Sequence, residues 1–375
     1  MFQTKNGSRL IFMTMILALM GISALADAMP DYYPKDYNKI IEASRSEKGL
    51  LVYSVMAADN WRPILTAFHK HYPWIEVKTL DLPGAEVIRR YTAEVESGIA
   101  TADFIAALTP SGWARILKEN RAQRYISPEI PHLPKWASRQ EAVYAFSCDP
   151  SVMVWNTKIF PPDLVPKGLA DLAEKVRKKP DFFRGRLTNY NDTSSYGMFG
   201  AWQLYKHHGE KLWTWLDIIG PVTRPEASGG AQVEKILSGE YMMSYNVGVI
   251  SLALSSVKKA GKLVGWKYME DGNVVMLRGM AIPQKSVSIN SAKLLLDFIL
   301  SQEGQVVMTK GNFTAYRPDA ADKIPEPTLH LERLMKIIGE KNVVLVGWDP
   351  DYGDEAKYKA IRERWRQAYF GKKQG

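Results

Sequence analysis

One cysteine, Cys148, in 375 residues excludes an intramolecular disulfide in any compartment, so stability must come from packing alone. Catalytic signatures are also missing: there is no Gly-x-Ser-x-Gly elbow, no His-Glu-x-x-His and no Walker-type loop. Ser255 and Lys258 have the Ser-x-x-Lys spacing of acylating enzymes, but neither a Ser-Asp-Asn nor a Lys-Thr-Gly partner accompanies them. Histidines are scarce and badly spaced for a metal. His69 and His71 lie two apart on a helix and face different ways, and His207-His208 reads as a helix C-terminal pair. The acidic run Asp349, Asp351, Asp354, Glu355 fails as a calcium loop, which needs Gly where Asp354 stands and Glu where Ala360 stands. Helix capping by Asp354 explains it better. No catalytic residue, metal site or cofactor is expected. A secreted hydrolase therefore stands only as an alternative to a binding protein.

Past the first residues no apolar run is long enough to span a bilayer. At the N-terminus, Lys5 and Arg9 precede the apolar stretch from Leu10 to Ile22, and Ala24-Leu25-Ala26 supplies the small residues of a cleavage site. The expectation is export and cleavage after Ala26, giving a periplasmic protein. No cysteine follows the cut, which excludes lipidation there. Loss of Lys5 and Arg9 takes the formal charge from +9 to +7, since residues 1–26 carry no Asp or Glu. That basic balance suits an anionic ligand. Lys and Arg are dispersed, apart from small clusters near Lys175 and Arg362, which argues against nucleic acid.

The mature chain reads as alternating strands and helices. Leu50 to Ser54 is a strand, and a helix follows with Ile64, Leu65, Phe68 and Tyr72 on one face until Pro73. Ile75 to Leu80 and Phe104 to Leu108 repeat the unit, and a second βα region runs from Gly185 to Tyr245. Such alternation implies mainly parallel sheets covered by helices on both faces. Extended runs flank Cys148-Asp149-Pro150, which reads as a domain crossing, and Val274–Leu277 with Met280–Ile282 read as strands returning to the first region. The division expected is lobe 1 over residues 27–147 and 275–325, lobe 2 over 148–274, and a C-terminal helical segment over 326–375. Asp354 to Tyr369 reads as a basic amphipathic helix within that segment.

The strand-to-helix junctions share a composition. Ser54 with Asn60, the Pro83-Gly84 turn, Thr109 with Ser111, Thr193-Ser194-Ser195 and Ser228-Gly229-Gly230 all fall there. In an open parallel sheet these loops line one crevice, and each helix start offers free N–H groups and about half a positive charge. Small hydroxyls and glycines let an anion approach closely. The alternative is that each hydroxyl only caps its own helix.

Several segments resemble one family in ordered succession. They are Leu51-Val52-Tyr53-Ser54, Ala102-Asp103, Gly168 to Leu172, Gly185 to Thr188, Val233 to Glu240, Asp271 to Val275, Gly279 to Pro283 and Leu296 to Gln305. Together they resemble the periplasmic solute-binding proteins of ABC importers, in the branch with ferric-binding and phosphonate- or sugar-phosphate-binding members. The resemblance implies a type II periplasmic-binding-protein fold: two α/β lobes, each a mainly parallel sheet flanked by helices, with the ligand in the cleft between them. It also implies a monomer that delivers a small anionic solute to a permease and ATPase in the inner membrane. Ferric-binding members carry adjacent tyrosines where this chain has Val249 and Ile250, which offer a hard cation nothing. Ferric iron or an iron chelate is thus the alternative ligand. Tyr245-Asn246 would face the same cleft, and Trp61 and Tyr196 would cover an apolar or ring portion of the solute.

Overall fold

The computed structural model describes residues 29–371 apart from 254 and 327–329, so the expected signal peptide lies outside the described residues. Lobe 1 begins with helix α1 (Asn38–Ser44), strand β1 (Leu50–Ser54), α2 (Ala58–His71), β2 (Val77–Asp81), α3 (Glu86–Glu96), β3 (Phe104–Ala107) and α4 (Pro110–Lys118). The long strand β4 (Val143–Asn156) then carries the chain into lobe 2. There follow α5 (Leu169–Lys178), β5 (Leu187–Tyr190), α6 (Ser195–His208), α7 (Glu210–Ile219), β6 (Thr223–Glu226), α8 (Gly229–Ser238), β7 (Met243–Gly248) and β8 (Val264–Lys267). Strand β9 (Asn273–Ala281) returns to lobe 1 and leads into α9 (Ile289–Leu300) and α10 (Gln302–Met308). The chain closes with α11 (Leu331–Ile338), β10 (Val343–Val346) and α12 (Glu355–Phe370).

The strand order is β2-β1-β3-β9-β4-β7-β5-β6. Pairing within each lobe is parallel, β1 with β2 and β3, and β5 with β6 and β7, as expected for βα units. The crossing strands β9 and β4 pair antiparallel with each other, and each pairs antiparallel with its lobe, β9 with β3 and β4 with β7. Both faces of the sheet are covered. In lobe 1, Trp61, Phe68, Phe104, Phe146 and Phe298 fill one side, and Tyr53, Val87, Tyr91 and Trp113 the other. In lobe 2, Leu172, Leu187, Trp202, Trp213 and Trp365 form one core, while Val152, Val233, Ile236 and Val247 lie in another.

Three expectations about elements change. The two runs around Cys148-Asp149-Pro150 are one continuous strand, and so are the two runs around Arg278-Gly279. The C-terminal stretch also contributes a strand: β10 pairs parallel with β9, Asn273 opposite Val343. Helix α12 is capped by Asp354, whose carboxylate accepts from the N–H groups of Ala356 and Lys357.

Candidate functional site: the seam between the lobes

Strand register brings the carboxyl ends of both lobes' parallel strands to one line. Ala107, at the end of β3, lies opposite Gly279, and Gly248, at the end of β7, lies opposite Ser151. Arg278 is opposite Ser147 and Met276 opposite Asp149. Along β9, Met276 belongs to the lobe 2 core and Met280 to the lobe 1 core, with Arg278 between them. Along β4, Phe146 belongs to lobe 1 and Met153 to lobe 2, with Ser147, Asp149 and Ser151 between. One face of the two crossing strands therefore turns polar between the cores, while Cys148, Val152, Val275 and Leu277 keep the other face apolar.

This polar seam is buried. Asp149 Oδ2 accepts from Arg278 Nη2 at 3.0 Å and from Ser147 Oγ at 3.0 Å. The other oxygen, Oδ1, accepts from the Thr314 N–H at 3.4 Å. The Asp149 carbonyl accepts from the Tyr196 hydroxyl at 3.3 Å, which joins the seam to the start of α6. Arg278 Nε, Thr314 Oγ1 and Ser151 Oγ are buried without a hydrogen-bond partner among the described residues. Such groups are uncommon in folded interiors and costly when left unpaired.

The α6 start is arranged like an anion site. Ser194 caps the helix, its Oγ accepting from the Gly197 N–H at 3.3 Å, while Thr193 donates to Asn191 Oδ1. The N–H groups of Ser195 and Tyr196 find no backbone acceptor among the described residues. Asp192, in the same loop, is paired with Arg362 at 2.9 Å and Arg366 at 2.6 Å on α12. Burial opposes its charge, yet the two guanidinium groups prevail and hold the carboxyl below its usual range. Tyr190 and Tyr196 pack ring against ring at 5.1 Å. Burial raises both hydroxyl pKa values, Tyr190 to about 12, even though the Gly248 N–H donates to its oxygen.

At the second turn, Ser228 Oγ accepts from the Ala231 N–H at 3.1 Å and caps α8. A Cβ on Gly229 would lie 2.5 Å from Ser251 Oγ and 2.7 Å from the Tyr190 hydroxyl, so any larger residue here would push these two hydroxyls aside. Gly230 follows in the first turn of α8. Tyr190 thus touches the turn, the end of β7 and Tyr196 together.

In lobe 1, Thr109 precedes α4 with its Oγ1 buried and unpaired, and Ser111 is exposed in the first turn. Both line a cavity of about 1090 Å³ with Ser195, Phe199, Trp348, Tyr352 and Tyr358, so loops of both lobes and the C-terminal segment share its wall. The seam cluster of Asp149 and Arg278 is not part of that wall. Gly84 lies in an open turn before α3. Ser54 and Asn60 serve the lobe 1 framework. Ser54 Oγ accepts from Trp61 Nε1 at 2.9 Å, and Asn60 donates to the Gly311 carbonyl at 2.9 Å.

Two aromatics sit elsewhere than expected. Trp61 is 1% exposed and packs edge-on against Phe146 at 5.4 Å, within the lobe 1 core. Tyr245 is equally buried, and its hydroxyl meets those of Tyr369 at 2.5 Å and Thr223 at 3.4 Å. Strand alternation turns Tyr245 toward α12 rather than toward the cleft. Asn246 is buried with Oδ1 unpaired among the described residues. The reading from sequence passed over Ser147, Asp149, Ser151, Arg278 and Thr314. The available signal was the alternation Ser147-x-Asp149-x-Ser151 inside an apolar run.

The chain belongs to the bacterial extracellular solute-binding protein family, whose profile matches residues 57–306, more than half its length. Its fold is that of two-lobed periplasmic binding proteins. It is similar to the substrate binding protein of the ABC transporter from Agrobacterium tumefaciens, with 22% identity over 88% of this chain and 96% of the other, at a TM-score of 0.74. The periplasmic binding protein AfuA from Actinobacillus pleuropneumoniae, solved with fructose-6-phosphate, shares 17% identity over 86% and 99%, at a TM-score of 0.66. Apo ferric ion-binding protein A from Pasteurella haemolytica shares 17% over 88% and 100%, at 0.67. No curated protein sequence matches the chain significantly.

Proposed function

We propose that this chain is the periplasmic substrate-binding component of an ABC importer. It captures a small anionic organic solute, a phosphonate, phosphate ester or carboxylate, between its lobes and hands it to an inner-membrane permease without chemical change. The observation that carries the anionic reading is the start of α6. Free N–H groups and a capping serine there meet the polar seam through Tyr196, beside an acidic residue whose charge α12 offsets. Lobe 1 on this reading comprises residues 27–147 and 275–325, lobe 2 residues 148–274, and the protein works as a monomer.

Ferric-binding proteins are among the similar structures, so iron is the natural rival. A hard cation needs anionic oxygen ligands, and Val249 and Ile250, where ferric-binding proteins carry a tyrosine pair, offer none. This favours the organic anion. Native mass spectrometry of protein released from the periplasm without denaturation tests the reading. The expected result is a chain beginning at Asp27 that carries one small acidic compound. A chain retaining Met1, or one carrying only ferric iron, would contradict it.

A further inference from the structure

We propose that Arg278 is the charged group that receives the solute's oxyanion, through the donors Asp149 leaves free. The inference rests on the anionic-solute reading above and names the residue at its centre.

Two arginines are buried among the described residues, and they make the comparison. Arg317 is 1% exposed and all three of its nitrogens are engaged. Nε and Nη2 donate to Asp319 at 2.6 and 3.0 Å, and Nη1 donates to Glu129 and to the Leu300 carbonyl at 3.1 Å. That is how a structural guanidinium is accommodated in an interior, with a planar fork matched to fixed acceptors. Arg278 is 4% exposed, yet its hydrogen bonding among the described residues is the single contact from Nη2 to Asp149. Its Nε is buried without a partner, and its guanidinium carbon lies 5.3 Å from the centre of the Phe313 ring.

A guanidinium offers five N–H donors, and a structural pair would set two nitrogens against both oxygens of one carboxylate. Here Asp149 divides its oxygens among Arg278, Ser147 and Thr314. The carboxylate therefore orients the cation from one end and leaves Nε and Nη1 without a protein acceptor among the described residues. Leaving the buried Nε so is costly, and an oxyanion with two adjacent oxygens would answer both nitrogens. Position agrees with chemistry. Arg278 stands between the two cores, next to Asp149, whose carbonyl holds the Tyr196 hydroxyl at the start of α6. The orphan Oγ1 of Thr314 and Oγ of Ser151 supply hydroxyl donors along the same seam.

The test is titration calorimetry with inorganic phosphate, fructose 6-phosphate, methylphosphonate and citrate, using fructose as the uncharged counterpart. The variants are R278Q/D149N, which removes both charges so that neither is left unpaired, and R278K, which keeps the cation but loses the fork. For the anion that binds wild type most tightly, R278Q/D149N should weaken binding about 10- to 150-fold, as expected for one charge-assisted contact. R278K should weaken it at least about threefold through loss of the Nε donor. Unchanged affinity in a folded R278Q/D149N overturns the assignment while leaving the anionic reading intact. If that variant does not fold, unchanged affinity in R278K does the same. Binding of fructose by wild type with none of the four anions bound overturns the anionic reading, and the assignment with it.

Discussion

Three hydroxyls, from Tyr37 and Tyr125 at 2.6 and 2.5 Å and from Ser127 at 2.5 Å, donate to Asp297, a carboxyl 1% exposed on α9. The donors favour its charge, but burial outweighs them and raises its pKa to about 7. Between the ordinary carboxyl value and that point the folded chain holds a proton the unfolded chain has released. Stability from this group is therefore present at low pH and falls as pH rises toward 7. Asp297→Asn imitates the protonated form. Relative to wild type, its melting temperature should gain steadily from pH 4 to pH 7, and a constant difference across that range would contradict the assignment. Asp297 also shows what was legible at this scale. It belongs to a segment that resembles the solute-binding family, and its hydrogen bonds tie Tyr37 near the N-terminus and Tyr125 with Ser127 after α4 to α9. Asp271, in another such segment, accepts from the N–H groups of Leu169 and Ala170 and so caps α5. Arg278 was not legible, because one charged residue between apolar ones in a strand gives no pattern until the register shows which core lies on each side of it.

The capping reading of the strand-to-helix junctions holds at two of them and fails at Thr109, which makes no cap bond to α4, and at Asn60, which donates to Gly311 instead. Ser194 and Ser228 do cap α6 and α8, and capping leaves each hydroxyl hydrogen free to donate outward. The two roles separate by substitution at Ser228. Ser228→Ala should cost about 1 kcal/mol of stability through loss of the cap. Ser228→Asp keeps the cap and sets a carboxylate at the turn, so it should melt near wild type and bind the anionic solute far more weakly. Undiminished affinity in Ser228→Asp would remove this turn from the site. The crossing strands were harder to read, since Cys148-Asp149-Pro150 has the composition of a turn. Burial on both sides and pairing with β9 and β7 hold it extended. The C-terminal helix was legible as basic and amphipathic, but not the use of its charges. Arg362 and Arg366 reach Asp192 in the loop before α6, and Arg364 reaches Asp217 on α7.

At the scale of the whole molecule, apolar clusters on both faces share one sheet; one face of the joining strands turns polar between the lobes, while the other, with Cys148, Val152, Val275 and Leu277, stays apolar. The polar groups come from different parts of the chain: Arg278 and Asp149 from the crossing strands, buried behind the cavity wall, and Ser195, Thr109 and Ser111 from helix starts of the two lobes, on that wall. Alternating strands and helices made the two-lobed α/β fold readable from sequence. The seam was not readable, because it exists only once distant strands are in register. The central claim is that this seam receives an anionic organic solute, and the melting temperature tests it most directly. A ligand that binds only the folded chain, at a hundredfold excess over its Kd, adds about 2.7 kcal/mol of stability. Screened against phosphate esters, phosphonates and carboxylates beside their uncharged counterparts, the protein should melt higher with one of the anions and not with its counterpart. A rise with uncharged or cationic compounds, and with none of the anions, would contradict the account.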